Sequence, residues 1–125
     1  MVVEAKITQK QILLDHEKLT VYQRAVEFVM FVDKVIEHLP RGRAYLSDQL
    51  QRAALSIPLN IAEGAGEYAV DEKNRFYRMA KRSATECAAV LDVSRRLQLM
   101  EEKRHIEGRQ LLIEIVSMLV KMVQK

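Results

Sequence analysis

Ser56-Ile57-Pro58-Leu59-Asn60-Ile61-Ala62-Glu63-Gly64 sets a proline inside a helical pattern. Upstream, Leu46, Leu50, Ala53, Ala54 and Ile57 recur at steps of three and four, as one face of a helix does. Ile61 continues that face downstream. Pro58 has no N–H for the carbonyl of Ala54, and its ring crowds that turn, at a cost of roughly 3 kcal/mol in a helix interior. Two readings are open. Either one helix bends at Pro58, or a second helix begins there, in a first turn where the missing N–H costs little. The expectation taken forward is a single helix, from Arg43 to about Gly64, bent at Pro58.

That helix carries more than one face. Leu55, Leu59 and Ala62 form a second apolar strip. Arg52, Ser56, Asn60 and Glu63 run between the strips as a polar stripe. A helix apolar on two sides contacts two partners. One is its own bundle, and a neighbouring subunit is a candidate for the other. The polar stripe has two readings, a ligand site or a buried network fixing the helix. In the second, Asn60 satisfies a backbone group freed by Pro58, and Arg52 pairs with Glu63 through an intermediate or with Glu86 across the bundle.

Three further helices are expected. The first runs from Thr20 to His38, with Tyr22, Ala25, Val29, Val32, Ile36 and Leu39 inward, Phe28 and Val35 beside them, and Phe31 on the far flank. Pro40 and Gly42 stop it. The third runs from an Asp71 N-cap to about Leu99. Phe76, Met79, Ala80, Ser83, Cys87, Val90, Leu91 and Leu97 face inward on that reading. The fourth runs from Glu101 or Glu102 to about Val123, with Gly108 tolerated at a cost of up to ~1 kcal/mol against alanine. Its last turns are apolar almost all round, the pattern of a helix covered from two directions. Four helices with short connections predict an all-α, up-down-up-down four-helix bundle. Residues 18–125 form that domain. Residues 1–17 form an N-terminal extension, either an arm or a short helix from about Lys6 to Asp15.

Composition agrees. The chain has 125 residues, 49% of them apolar, with four glycines and two prolines. That favours helices over a turn-rich β fold. The single cysteine, Cys87, excludes an intrachain disulfide framework and reads as a buried thiol. No apolar run approaches the length of a membrane span, and the expected location is the cytoplasm. The formal charge of +3 permits nucleic-acid binding without demonstrating it.

Signatures of catalysis are weak. His16, His38 and His105 lie on separate segments, near expected helix ends, and form no metal-ligand pattern. Ser56 and Ser83 lack the Gly-x-Ser-x-Gly turn. Gly64-Ala65-Gly66 follows a helix and lacks the Gly-Lys-Ser/Thr ending of a phosphate loop. The expectation is a protein without enzymatic activity or cofactor. The other constellation is basic. Arg75, Arg78 and Arg82 share one face of the third helix, with Lys81 beside them, and Arg95 and Arg96 follow near its end. Arginine suits phosphate because its planar fork offers several donors. The nearby aromatics are Phe76 and Tyr77. A solvated face is the bland reading, and a phosphate-backbone surface is the functional one.

Arg52-Ala53-Ala54-Leu55-Ser56-Ile57-Pro58-Leu59-Asn60-Ile61-Ala62-Glu63-Gly64 resembles the signature of bundle proteins related to the 23S rRNA intervening-sequence protein, a family once labelled ribosomal S23. Leu19-Thr20-Val21-Tyr22-Gln23-Arg24-Ala25 resembles its first-helix opening, and Phe76, Tyr77, Ala80, Ser83 and Glu86 its third-helix pattern. Arg82 departs from it, standing where a small, glycine-like residue is expected. The resemblance covers about residues 19–123. It implies a bacterial-type, homopentameric, ring-shaped assembly, which gives Leu55, Leu59 and Ala62 a subunit contact. It also implies RNA or DNA as partners, or a protein partner such as the reverse transcriptase of diversity-generating retroelements.

Overall fold

The computed structural model describes residues 12–124. A 3-10 turn at Asp15–Lys18 leads into four α-helices: α1, Thr20–Glu37; α2, Ala44–Ala65; α3, Val70–Arg96; and α4, Glu102–Met122. No strand occurs among the described residues. Each helix packs on the next in sequence, and α4 closes back onto α1. Side-chain bonds fix the directions. Ser56 meets Ser83 and Gln49 meets Glu86, so α2 and α3 are antiparallel. Asp92 meets His105, and Arg24 meets Glu114, so α4 opposes both α3 and α1. The result is an all-α four-helix bundle.

The core follows the expected face of α2 closely. Leu46, Leu50, Ala53, Ala54, Ile57 and Ile61 are all buried. Pro58 is buried within one uninterrupted helix, so no second helix begins there. Boundaries elsewhere shift by a few residues. Ala69 is the N-cap of α3 and makes no side-chain cap bond, so Asp71 is not the cap. Asp71 and Glu72 instead lie in the first turn, near the positive end of the helix dipole. Residues 12–14 are not helical, so the short helix to Asp15 does not extend over them, and residues 6–11 of that expectation lie outside the described residues.

Two inner faces differ from expectation, and glycines explain both. Phe31 is buried and stacked on Phe28 with ring centroids 5.8 Å apart, not placed on a far flank. It fits because Gly108 opposes it: a Cβ there would meet Phe31 Cε2 at 2.6 Å and Leu91 Cδ1 at 2.9 Å. Gly108 is thus where α4 approaches α1 and α3 most closely. On α3, the buried set is Asn74, Tyr77, Ala80, Ala84, Cys87, Val90, Leu91 and Ser94. Phe76 is half-buried and Met79 and Leu97 are exposed, so the face is turned toward Tyr77. Gly64 makes room for that ring, since a Cβ on Gly64 would meet Tyr77 Cε1 at 2.7 Å.

Polar side chains close one end of the bundle. The Lys73 ammonium donates to the carbonyls of Gly64 at 3.0 Å and Ala65 at 3.3 Å, satisfying acceptors at the C-terminus of α2. Buried Asn74 donates to the Gln124 carbonyl at 2.6 Å and accepts from the Gln124 N–H at 2.9 Å. The chain beyond α4 is thereby pinned to the first turns of α3.

Candidate nucleic-acid interface

Helix α3 is long, and its outward face is polar because only one stripe is needed for the core. The six basic residues expected to act together separate into three groups. Arg78, Lys81 and Arg82, with Thr85 and Glu86, border a shallow depression of about 570 Å³. Their spacing of three and four puts these cations on adjacent positions of one face. Among the described residues, no carboxylate lies within ion-pair distance of any of the three. Glu86, the acid at the rim, accepts a hydrogen bond from the Gln49 amide across the α2–α3 seam.

Arg75 is occupied differently. Its guanidinium bonds Glu72 Oε1 at 2.9 and 3.1 Å and lies 4.5 Å from the Phe76 ring centroid. Arg95 and Arg96 border a second depression, of about 470 Å³, with Asp92, Val93, Leu97 and His105. There His105 Nε2 lies 2.8 Å from Asp92 Oδ1, with the imidazole mostly buried. His105 is thus a bundle contact. His38 does act at a helix end, its Nδ1 lying 2.8 Å from the Lys34 carbonyl.

The polar stripe of α2 divides in the same way. Ser83 Oγ donates to Ser56 Oγ at 2.8 Å, and Asn60 Nδ2 donates to Ser56 Oγ and to the Ser56 carbonyl, each at 2.9 Å. This half-buried node ties α2 to α3. Asn60 therefore serves Ser56, and not the Ala54 carbonyl left by Pro58. Arg52 and Glu63 are exposed and make no ion pair among the described residues, and Glu86 takes Gln49 in place of Arg52. The stripe is a packing device along half its length. Leu55 and Leu59 stay more than half exposed, with Ala62 half-buried beside them.

The Cys87 thiol is fully buried, and burial with the nearby Glu86 carboxylate pushes its pKa up to about 12. A thiol held that high is protonated at neutral pH and is a poor nucleophile. No helix among the described residues is long and apolar enough to cross a membrane. The arrangement offers a helix face with three cations that are unpaired among the described residues, suited to binding anionic groups by charge-assisted hydrogen bonds.

Tyr45 was not singled out by its sequence context. It is more than half exposed at the start of α2, and its hydroxyl accepts a hydrogen bond from Arg43 Nη1 at 3.1 Å. Its signal was the run Pro40-Arg41-Gly42-Arg43-Ala44-Tyr45, two arginines around a glycine followed by an aromatic.

Comparison with known proteins agrees with this architecture. A structure described as a protein of unknown function from the S23 ribosomal protein family, from Bacteroides thetaiotaomicron, superposes with a TM-score of 0.78. The match covers 85% of this chain and 100% of that one at 18% identity, a likeness of fold. No curated protein matches the chain. The model of the 23S rRNA-intervening sequence protein family matches residues 17–121. That span takes in all four helices but for the last residue of α4, and the chain belongs to the 23S rRNA-intervening sequence protein family.

Proposed function

We propose that this protein is a non-enzymatic, cytoplasmic helical bundle that binds the backbone of RNA or DNA through the outer face of α3. The observation that carries the reading is the convergence of Arg78, Lys81 and Arg82 on one depression, with no carboxylate within ion-pair distance among the described residues. Arginines with no ion-pair partner among the described residues are available for phosphate, whereas Arg75 must first leave Glu72. Arg95 and Arg96 extend the basic surface toward the end of α3.

The same proposal includes self-assembly into a ring, pentameric by family resemblance, with α2 bent at Pro58 to fit it. Leu55 lines a groove of about 570 Å³ between α1 and α2 with Val29, Met30 and Ala54 among others, and exposed Leu59 follows one turn on along α2. Ile106, Ile113 and Val120 are also exposed, at seven-residue intervals along α4. Such intervals mark one side of a helix. Repeating the α3 face around a ring multiplies a modest local charge into a continuous basic surface.

A second reading rests on the same apolar groove, which suits a different polypeptide, as in an accessory subunit of a reverse transcriptase. Charge reversal separates the two. Fluorescence anisotropy with labelled RNA and DNA should show binding by the wild type and much weaker binding by an Arg78→Glu, Lys81→Glu, Arg82→Glu variant of unchanged circular dichroism. Equal binding by the two proteins, or no salt-sensitive binding by the wild type, refutes the nucleic-acid reading and leaves the protein partner.

A further inference from the structure

The basic face of α3 lacks an aromatic of its own. Tyr77 is buried and Phe76 is half-buried beneath the Arg75 guanidinium. A surface built only from those residues reads phosphates and ignores bases. The missing component lies on the neighbouring helix. Gln49 reaches Glu86 across the α2–α3 seam, and Glu86 sits at the rim of the Arg78–Lys81–Arg82 depression. Tyr45 is one helical turn before Gln49, on the same stripe of α2. Because α2 and α3 are antiparallel, that turn runs from Glu86 toward Arg95 and Arg96. Along the bundle axis Tyr45 thus stands level with the part of α3 between Arg82 and Arg95, on its α2 side, whereas the depression bordered by Arg95 and Arg96 is closed by His105 on the α4 side. Arg82 and Arg96 are about 21 Å apart along the helix axis at 1.5 Å per residue. That length suits a few nucleotides of a single strand.

The ring is also prepared for contact. It is 58% exposed, stands on the first turn of a long helix, and is tethered at its hydroxyl by Arg43. An exposed aromatic whose rotamer is already held loses little freedom when a base stacks on it. Arg41 and Arg43, on either side of Gly42, add positive charge next to the ring. Gly42 turns the chain with φ of +88°, a conformation that strains other residues. Tyr68 is the contrasting case. It is fully exposed, but it lies in the connection between α2 and α3, at the opposite end of the bundle.

Resting on the reading of α3 as a phosphate-binding face, we infer that Tyr45 is its base-stacking platform, and that the preferred ligand is single-stranded nucleic acid. Phosphates bind Arg78, Lys81 and Arg82, and a base stacks on the phenol ring beyond Gln49. Stacking is tolerant of sequence because every base has a π face, so the preference is for strandedness and not for a motif.

The test uses the full chain with an oligothymidine strand and a duplex of equal length, at one salt concentration. Tyr45→Ala should weaken binding of the single strand by about 10- to 100-fold and leave the duplex within about twofold. Tyr68→Ala should change neither. The protein has no tryptophan, so Tyr45→Trp places a unique fluorophore at the site. Its emission should be quenched by the single strand and little altered by the duplex. If Tyr45→Ala leaves single-strand affinity unchanged while charge reversal at Arg78, Lys81 and Arg82 sharply weakens it, the stacking inference falls and the phosphate reading stands. Equal losses for strand and duplex also overturn it. If the wild type binds neither ligand, both readings fall together.

Discussion

Gly108→Ala is a substitution whose sign separates the structure from helix propensity alone. In an exposed helix the change favours folding by about 1 kcal/mol, because glycine loses more backbone freedom than alanine. At this position the added methyl would lie 2.6 and 2.8 Å from Phe31 Cε2 and Cζ and 2.9 Å from Leu91 Cδ1. All three distances are shorter than ordinary carbon–carbon contact. Phe31 cannot swing aside freely, since its ring is buried and stacked on Phe28. Relief therefore requires α4 to move away from α1 and α3. Overpacking of this kind costs typically 1–3 kcal/mol. Setting the propensity gain against it leaves a net destabilisation of about 1 kcal/mol, within a range of roughly 0–2. For a chain of this length, 1 kcal/mol corresponds to a fall in Tm of about 3–5 °C. Urea and thermal denaturation followed by circular dichroism, at fixed protein concentration, read the effect directly. Phe31→Leu in the same chain should reduce the penalty of Gly108→Ala, a coupling expected at about 0.5 kcal/mol or more. A Gly108→Ala protein more stable than the wild type would refute the close approach of α4 on Phe31.

Other perturbations follow from single contacts. Asn74→Ala removes both bonds to the Gln124 backbone, and should cost about 1–3 kcal/mol and speed hydrogen exchange at the end of α4. Leu59→Glu adds a charge to a residue that is 56% exposed, so the helical signal should persist while light scattering shows a smaller particle than the wild type, which should exceed 14.5 kDa several-fold. Loss of the helical signal would instead place Leu59 in the intramolecular core. Cys87 gives a pH dependence: its folded thiol is held up to about 12 against an ordinary 9.0, so the unfolded chain releases that proton first as pH rises. Its contribution is present in full below pH 9.0 and is lost between there and about pH 12. The decline in urea stability on that limb should be shallower in Cys87→Ala.

The sequence made some parts of this molecule legible and concealed others for identifiable reasons. The inner face of α2 was readable because Leu46, Leu50, Ala53, Ala54, Ile57 and Ile61 keep one helical period straight through Pro58. The faces of α1 and α3 were readable at Ala25, Phe28, Val32 and Val35 and at Ala80, Cys87, Val90 and Leu91, but not at Phe31 and Tyr77, where the deciding residues are glycines on other helices. Gly108 admits Phe31 and Gly64 admits Tyr77, and neither pairing has a signature in the local period of its own helix. Polar partners were hidden in the same way. Ser56 and Asn60 were expected to matter, but Ser83 supplies the cross-helix bond, and Arg52 and Glu63 stay outside it.

The basic face shows the same division. Arg75, Arg78 and Arg82 look equivalent by spacing, yet Glu72 takes Arg75 and leaves the other two with Lys81. Tyr45 escaped notice because it belongs to a different helix from the cations it accompanies. Its level on α3, one turn from Glu86, is set only by the register of Gln49 on Glu86.

The most direct test of the central claim is the salt dependence of nucleic-acid binding, measured for the wild type and for Arg78→Glu, Lys81→Glu, Arg82→Glu. Each phosphate neutralised on a single strand contributes about −0.7 to the slope of log K against log salt concentration. Removal of three contacts should make the slope shallower by about 2, with affinity lost most strongly at low salt. Equal slopes for the two proteins would contradict the assignment of Arg78, Lys81 and Arg82 as the phosphate-binding face.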